Sequence, residues 1–337
     1  MQILTKLILV CFSIAFYVGA VFLFNEPSVT AGVTREEIVD NSRGRVLGIS
    51  EVVTPEDKNK KESEIVYYGL PENRAKRLTP ERKEQSIAID LPTSVGVVID
   101  AKSGSVLFEK DAEKIVPIAS ITKLATAIVF LEENVDFDKI HEITDKDRVN
   151  GGRIYLHRGD KVKVKDLFYL SLVGSANSAT QALVNSTGLD TQEFVKKMNI
   201  RMKSLELYNT AFEDVVGLGV NNKSNAIEVA RLTKIALNYP EIKEATMLPS
   251  YRFFTEQGKS KIVHSTDSLL ESFDDDKVKI LGGKTGYTES AGYCFAGKYV
   301  DDDGNELLSV VLQEVSENSR FEKSKMLALW AFDSYLW

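Results

Sequence analysis

Ile118-Ala-Ser-Ile-Thr-Lys-Leu124 sets a hydroxyl and an amine three residues apart at the head of an apolar run. If that run is helical, residues three apart stack on one face, and the Lys123 amine reaches the Ser120 oxygen without help from the rest of the fold. The helix is expected because Leu124, Ala125, Ile128, Val129 and Leu131 form an apolar face and Pro117 stands just before its first turn. A lysine there meets the positive end of the helix dipole and loses solvent on burial, and both effects lower its pKa. A neutral amine can take a proton from a serine, so Ser120 reads as a nucleophile and Lys123 as its base. A bare Ser-x-x-Lys is usually a helix start with a solvated lysine, so the reading needs support from elsewhere in the chain.

Two further patterns supply it. This is the only Ser-x-x-Lys in the sequence, and Ser175-Ala-Asn177 and then Lys284-Thr-Gly286 come after it in order. Ser316-Glu-Asn318 also fits Ser-x-Asn, but it falls after Lys-Thr-Gly. Lys284-Thr-Gly286 is the most specific by context, being preceded by Gly282-Gly283 and followed by Tyr287-Thr-Glu-Ser-Ala-Gly292. A strand bordering a cleft can pair with an extended peptide only if no side chain blocks the approach, and a glycine at 286 would leave that room.

Composition sets outer limits. The chain has 337 residues, 43% of them hydrophobic, enough for one large domain plus additional segments. A net charge of -7 argues against a nucleic-acid surface, which would need a basic stripe. The two cysteines, Cys11 and Cys294, lie in an apolar N-terminal stretch and near Lys-Thr-Gly, so each reads as a small hydrophobe rather than half of a disulfide. His141, His157 and His264 lack metal-ligand spacing, so no metal is expected.

Along the chain, Leu7–Phe24 is an uncharged run of eighteen residues after Lys6. It reaches the length of a spanning helix, and Val29-Thr-Ala31 fits a cleavage site. Residues 1–31 therefore read as a membrane anchor or a cleaved signal, and either one exports the remainder of the chain. Residues 32–91 are charged, poor in aromatics and without apolar periodicity, as expected of a flexible tether. The compact domain is expected over 92–337. It opens with a hairpin, Ser94–Asp100 and Ser105–Glu109 around Ala101-Lys-Ser-Gly104. Helical patterns come next at Val164–Leu172, through Phe194, Met198 and Met202, and over Ile227–Leu237. Strands return at Lys279–Gly286, Tyr293–Val300 and Leu307–Leu312, and Phe321–Tyr335 closes the chain as an amphipathic helix. Strands at both ends with helices between them predict an α+β fold with one mainly antiparallel five-stranded sheet.

The three motifs in this order resemble the penicillin-binding proteins, in particular the serine D-alanyl-D-alanine carboxypeptidase family. Phe194-Val-Lys-Lys-Met-Asn199, Asn209-Thr-Ala-Phe212 and Gly217-Leu218 are also similar to family stretches. The resemblance implies the transpeptidase and β-lactamase fold, with an all-helical insertion over about 130–275 and the cleft between it and the sheet. It implies that Ser120 attacks a terminal D-alanyl-D-alanine bond, with Lys123 as base and Ser175 as a relay between the Lys123 amine and the leaving nitrogen. Asn177 would hydrogen-bond the substrate and Lys123. Lys284 and Thr285 would hold the terminal carboxylate, Gly286 would leave room for the scissile amide, and the Ser120 and Tyr287 amides would form the oxyanion hole. No cofactor is implied; the implied partners are peptidoglycan stem peptides and β-lactams, in the bacterial cell envelope.

Departures and alternatives remain. The acidic residue usual after Ser-x-Asn is Ser178 here, and the family's His-Ser-Thr appears as Asn222-Lys-Ser224. The second, β-rich domain and C-terminal anchor of many relatives have no residues here, so the N-terminal segment is expected to anchor instead. A peptidoglycan D,D-endopeptidase would use the same residues. A class A β-lactamase would need a Glu-x-x-x-Asn between Asn177 and Lys284, which is missing, and a non-catalytic wall-binding protein would be expected to have lost a motif residue.

Overall fold

The computed structural model describes residues 79–89, 95–273 and 275–337. The apolar run Leu7–Phe24 lies outside the described residues, together with Cys11 and most of the segment read as a tether. Among the described residues, no helix is long and apolar enough to cross a membrane.

Five strands form the central sheet: Val95–Asp100 (β1), Val106–Lys110 (β2), Val278–Thr288 (β3), Gly292–Asp301 (β4) and Glu306–Glu314 (β5). All neighbours are antiparallel, in the order β3-β4-β5-β1-β2, which leaves β3 with its Lys-Thr-Gly sequence on an edge. Every residue of β1 is buried, because the sheet is covered on both faces. Val95, Val97 and Ile99 join the larger core, while Val98 points to the opposite face with Phe295, Tyr299 and Val311.

The helices divide between those two cores. Thr122–Glu132 (α1), Val164–Leu172 (α2), Asn177–Ser186 (α3), Thr191–Ser204 (α4), Ala226–Ala236 (α5) and Pro240–Met247 (α6) contribute to the larger one, and Glu317–Ser334 (α7) packs on the second. Residues 122–130 of α1 are buried all round, so α1 is a central helix rather than the amphipathic one that its apolar face suggests. Lys123 is its only charged side chain before Glu132.

The sequence expectation of an all-helical insertion over about 130–275 needs correcting. Ile140–Glu142 pairs with Lys161–Lys163, and Ser250–Phe254 pairs with Ser260–His264. In the second ribbon only Phe253 and Val263 are fully buried, so the period-two pattern is too sparse to stand out among helical segments. The end of the stretch read as a tether is also tied down. Glu81–Arg82 pairs with Tyr335–Leu336, and the Trp330 indole donates to the Ile87 carbonyl at 2.9 Å.

Candidate active site

Ser120 sits on a 3₁₀ turn, Ala119–Ile121, that runs into α1, rather than within the first turn of one α-helix. The pair spans the junction of the 3₁₀ turn and the first turn of α1, and in either geometry residues three apart are neighbours. Ala119 holds φ +47°, a left-handed conformation that costs an alanine about 1–2 kcal/mol and that the surroundings must impose. Two glycines do so. A methyl on Gly217 would stand 2.0 Å from the Ala119 carbonyl oxygen, and one on Gly286 would stand 2.7 Å from the Ile118 carbonyl oxygen. The Ser120 turn is clamped between the 214–219 turn and strand β3.

The Lys123 amine is fully buried and lies 2.9 Å from Ser120 Oγ, 2.8 Å from Asn177 Oδ1 and 2.7 Å from the Val216 carbonyl. Asn177 begins α3, and its Nδ2 donates to the Gly151 carbonyl at 3.2 Å, which leaves Oδ1 for the lysine. Burial, then the charge of Lys284, pull the Lys123 pKa well below the ordinary range, and Asp214 opposes them. A neutral amine has two N–H groups and one lone pair. In the neutral form, Asn177 Oδ1 and the Val216 carbonyl can take the two hydrogens, which would turn the lone pair to the Ser120 hydroxyl.

Ser175 holds φ +53° in the link between α2 and α3. Its hydroxyl accepts from Lys284 Nζ at 2.9 Å, and among the described residues no hydrogen bond joins it to Lys123. The partner of Ser175 here is thus the other lysine of the site. Lys284 lies in β3 and is buried; burial, then Arg320, push its pKa down to about 7 against the pull of Asp267. The Thr285 hydroxyl is 2.6 Å from that of Thr266. Tyr287 is half exposed and stacks on its cross-strand neighbour Tyr293, with centroids 4.2 Å apart.

Several site residues were not read from the sequence. Arg320, on α7, is buried, donates to the Gly286 carbonyl at 3.3 Å and lies over the Tyr293 ring. Asp267 follows Thr266; burial raises its carboxyl to about 7, and its Oδ2 has no hydrogen-bond partner. Asp214 gathers the turn that meets Lys123. An arginine on the inward face of a sheet-covering helix and an aspartate three residues before Gly217 were the available cues; the Val216 carbonyl had none. Ser178, which departs from the family pattern, accepts from the Val149 amide at 3.1 Å and ties the loop beside Asn177 to α3. Cys294 is buried opposite Gly286, and burial raises its thiol to about 12.

A match to the family described as D-alanyl-D-alanine carboxypeptidase covers residues 81–316, and so takes in all three motifs. The chain belongs to the D-alanyl-D-alanine carboxypeptidase family. It is 34% identical over 200 residues to a D-alanyl-D-alanine endopeptidase of Haemophilus influenzae, covering 58% of this chain and 67% of that protein. It is 28% identical over 249 residues to a D-alanyl-D-alanine carboxypeptidase of Bacillus subtilis, covering 71% and 62% respectively. Penicillin-binding protein D2 of Listeria monocytogenes, solved in a cefotaxime-bound form, is similar with TM-score 0.63 and 29% identity over 73% of this chain and all of that one. On the penicillin-binding fold of this family member, Lys123 gathers Ser120 and Asn177, and Lys284 holds Ser175.

Proposed function

We propose that this chain is a serine D-alanyl-D-alanine carboxypeptidase that removes the terminal D-alanine from peptidoglycan stem pentapeptides. The observation that carries the reading is the Lys123 amine, buried, 2.9 Å from Ser120 Oγ and with its other contacts on two acceptors. Ser120 Oγ attacks the penultimate carbonyl carbon as its proton passes to Lys123. The resulting oxyanion rests on the Ser120 and Tyr287 amides. The carbon–nitrogen bond then breaks as the leaving nitrogen takes the proton held on Lys123, passed on by the Ser175 hydroxyl as it turns from Lys284, and the Lys123 amine is neutral again for deacylation. Water hydrolyses the ester and frees the enzyme. Lys284 and Thr285 hold the substrate's free carboxylate, with the buried Arg320 cation behind Gly286 adding to the field. Asn177 orients Lys123 and the substrate amide.

A β-lactam, which mimics the D-alanyl-D-alanine bond, acylates Ser120. The Leu7–Phe24 run directs the chain to the membrane, so the catalytic domain works outside the cytoplasm, on the cell wall. Incubating the enzyme with a stem pentapeptide and with cross-linked muropeptides, and reading the products by mass, tests the assignment. Release of free D-alanine from the pentapeptide is expected. Cleavage of cross-links with the pentapeptide left intact would make it an endopeptidase, the activity in the name of the Haemophilus relative.

A further inference from the structure

Among the described residues Asp214 makes no hydrogen bond to Ser120 or Lys123, yet it organises the turn that touches both. Its Oδ1 accepts from the Val216 amide at 2.8 Å, the Gly217 amide at 2.6 Å and the Leu218 amide at 3.4 Å. Its Oδ2 accepts from the Gly219 amide at 2.7 Å and Asn222 Nδ2 at 2.8 Å. One carboxylate thus folds residues 214–219 around itself. The turn is also pinned to α1, where Thr126 Oγ1 donates to the Val215 carbonyl at 2.7 Å.

Two products of this fold reach the reacting groups. The Val216 carbonyl takes one hydrogen of the Lys123 amine at 2.7 Å, and Gly217, at φ +91°, lies against the Ala119 carbonyl and the Ser120 amide. Without the Val216 acceptor, a neutral amine could rotate and offer an N–H to Ser120 instead of its lone pair, and the proton would have nowhere to go. We propose that Asp214 is a positioning residue for acyl transfer, whose carboxylate presents the Val216 carbonyl to Lys123 and so keeps the amine's lone pair on Ser120. This rests on Lys123 being the base for Ser120.

The carboxylate also acts on the amine through its charge. Burial works against the ionised form of Asp214, but the bonds from Gly219, Gly217, Val216 and Asn222 outweigh it and hold its pKa below the ordinary value. The charged groups acting on Lys123 are Lys284 from β3, which disfavours the ammonium, and Asp214, which favours it. Glu213, next in the chain, is turned to the Asn221 amide and side chain, while Asp267 and Arg320 act on Lys284. Removing the Asp214 charge therefore lets Lys123 lose its proton at lower pH.

The test measures the rate of penicillin acylation against pH, with thermal unfolding as a control, for wild type, Asp214→Asn and Asp214→Ala. Asp214→Asn keeps an oxygen for the Val216 and Gly217 amides but loses the charge. It is expected to acylate within about threefold of wild type at its optimum, with the acidic limb moved down by about half a pH unit or more. Asp214→Ala loses the acceptor and is expected to acylate about ten- to a hundredfold more slowly at every pH. An Asp214→Asn limb that coincides with wild type overturns the proposal, even if Asp214→Ala fails to fold. So does a folded Asp214→Ala enzyme that acylates within about twofold of wild type. If wild type itself takes no adduct on Ser120, the proposed function fails instead.

Discussion

Gly286 lies against the Ser120 turn so closely that a methyl group on it would sit 3.3 Å from the Ser120 amide nitrogen and 2.7 Å from the Ile118 carbonyl oxygen. The bare position in Lys-Thr-Gly therefore serves the seating of Ser120. This adds to the sequence expectation, in which the missing side chain leaves room for an incoming peptide.

Gly286→Ala is expected to lower stability by about 1–3 kcal/mol, because the methyl meets backbone that cannot swing away. Acylation should slow with it, since Ser120 must shift. Gly217→Ala should be worse, with a 2.0 Å contact and a φ of +91° that an alanine rarely adopts. Chemical denaturation ranks the two; equal stability of Gly286→Ala and wild type would contradict the clamp.

Ser120→Ala is expected to abolish the mass adduct formed with penicillin. Lys123→Arg should abolish it as well, because a guanidinium stays protonated and cannot receive the Ser120 proton. Circular dichroism shows whether the arginine variant has folded. A folded Lys123→Arg enzyme with near-normal labelling would mean that another group is the base.

Lys284 titrates near neutrality, at about 7. Below that pH the amine is charged and can hold a carboxylate; above it the free enzyme loses the proton. The KM for a free-acid substrate should therefore rise above pH 7, by up to about tenfold per unit, while that of the terminal amide stays flat. Lys284→Gln should remove the difference between the two substrates. A pH-independent KM for the free acid would rule out Lys284 as the carboxylate's partner.

Asp267 predicts a stability slope of its own. Its folded pKa of about 7 stands above the ordinary 3.8, so between those values the native state keeps a proton that the unfolded chain has released. Its contribution is fully present below pH about 4 and is lost as pH rises through about 7. Asp267→Asn should therefore gain on wild type in denaturant midpoint as pH rises over that window. The same variant loses the charge that raises Lys284, so the break in the free-acid KM should move to lower pH. A constant midpoint gap would show that Asp267 does not carry the proton.

Much of this protein is legible from residue order. Ser120 and Lys123 meet because they are three residues apart in a turn. The β-branched and apolar runs marked the central strands because sheet residues covered on both faces have no need of polar alternation. The ribbon at Ser250–His264 was missed because only one residue in each strand is deeply buried.

The tertiary structure alone decided what surrounds the pair. Asn177 is 54 residues and Val216 is 93 residues from Lys123, and a backbone carbonyl has no residue type to betray it. Only packing could move Ser175 to the side of Lys284, bring Arg320 behind Gly286, or bury Asp267 beside the same strand. Sequence spacing fixes contacts that lie within one turn of backbone, because there the chain's own geometry sets the distance. Contacts between distant segments, and the pKa shifts that come from burying charges together, exist only once the core has closed around them.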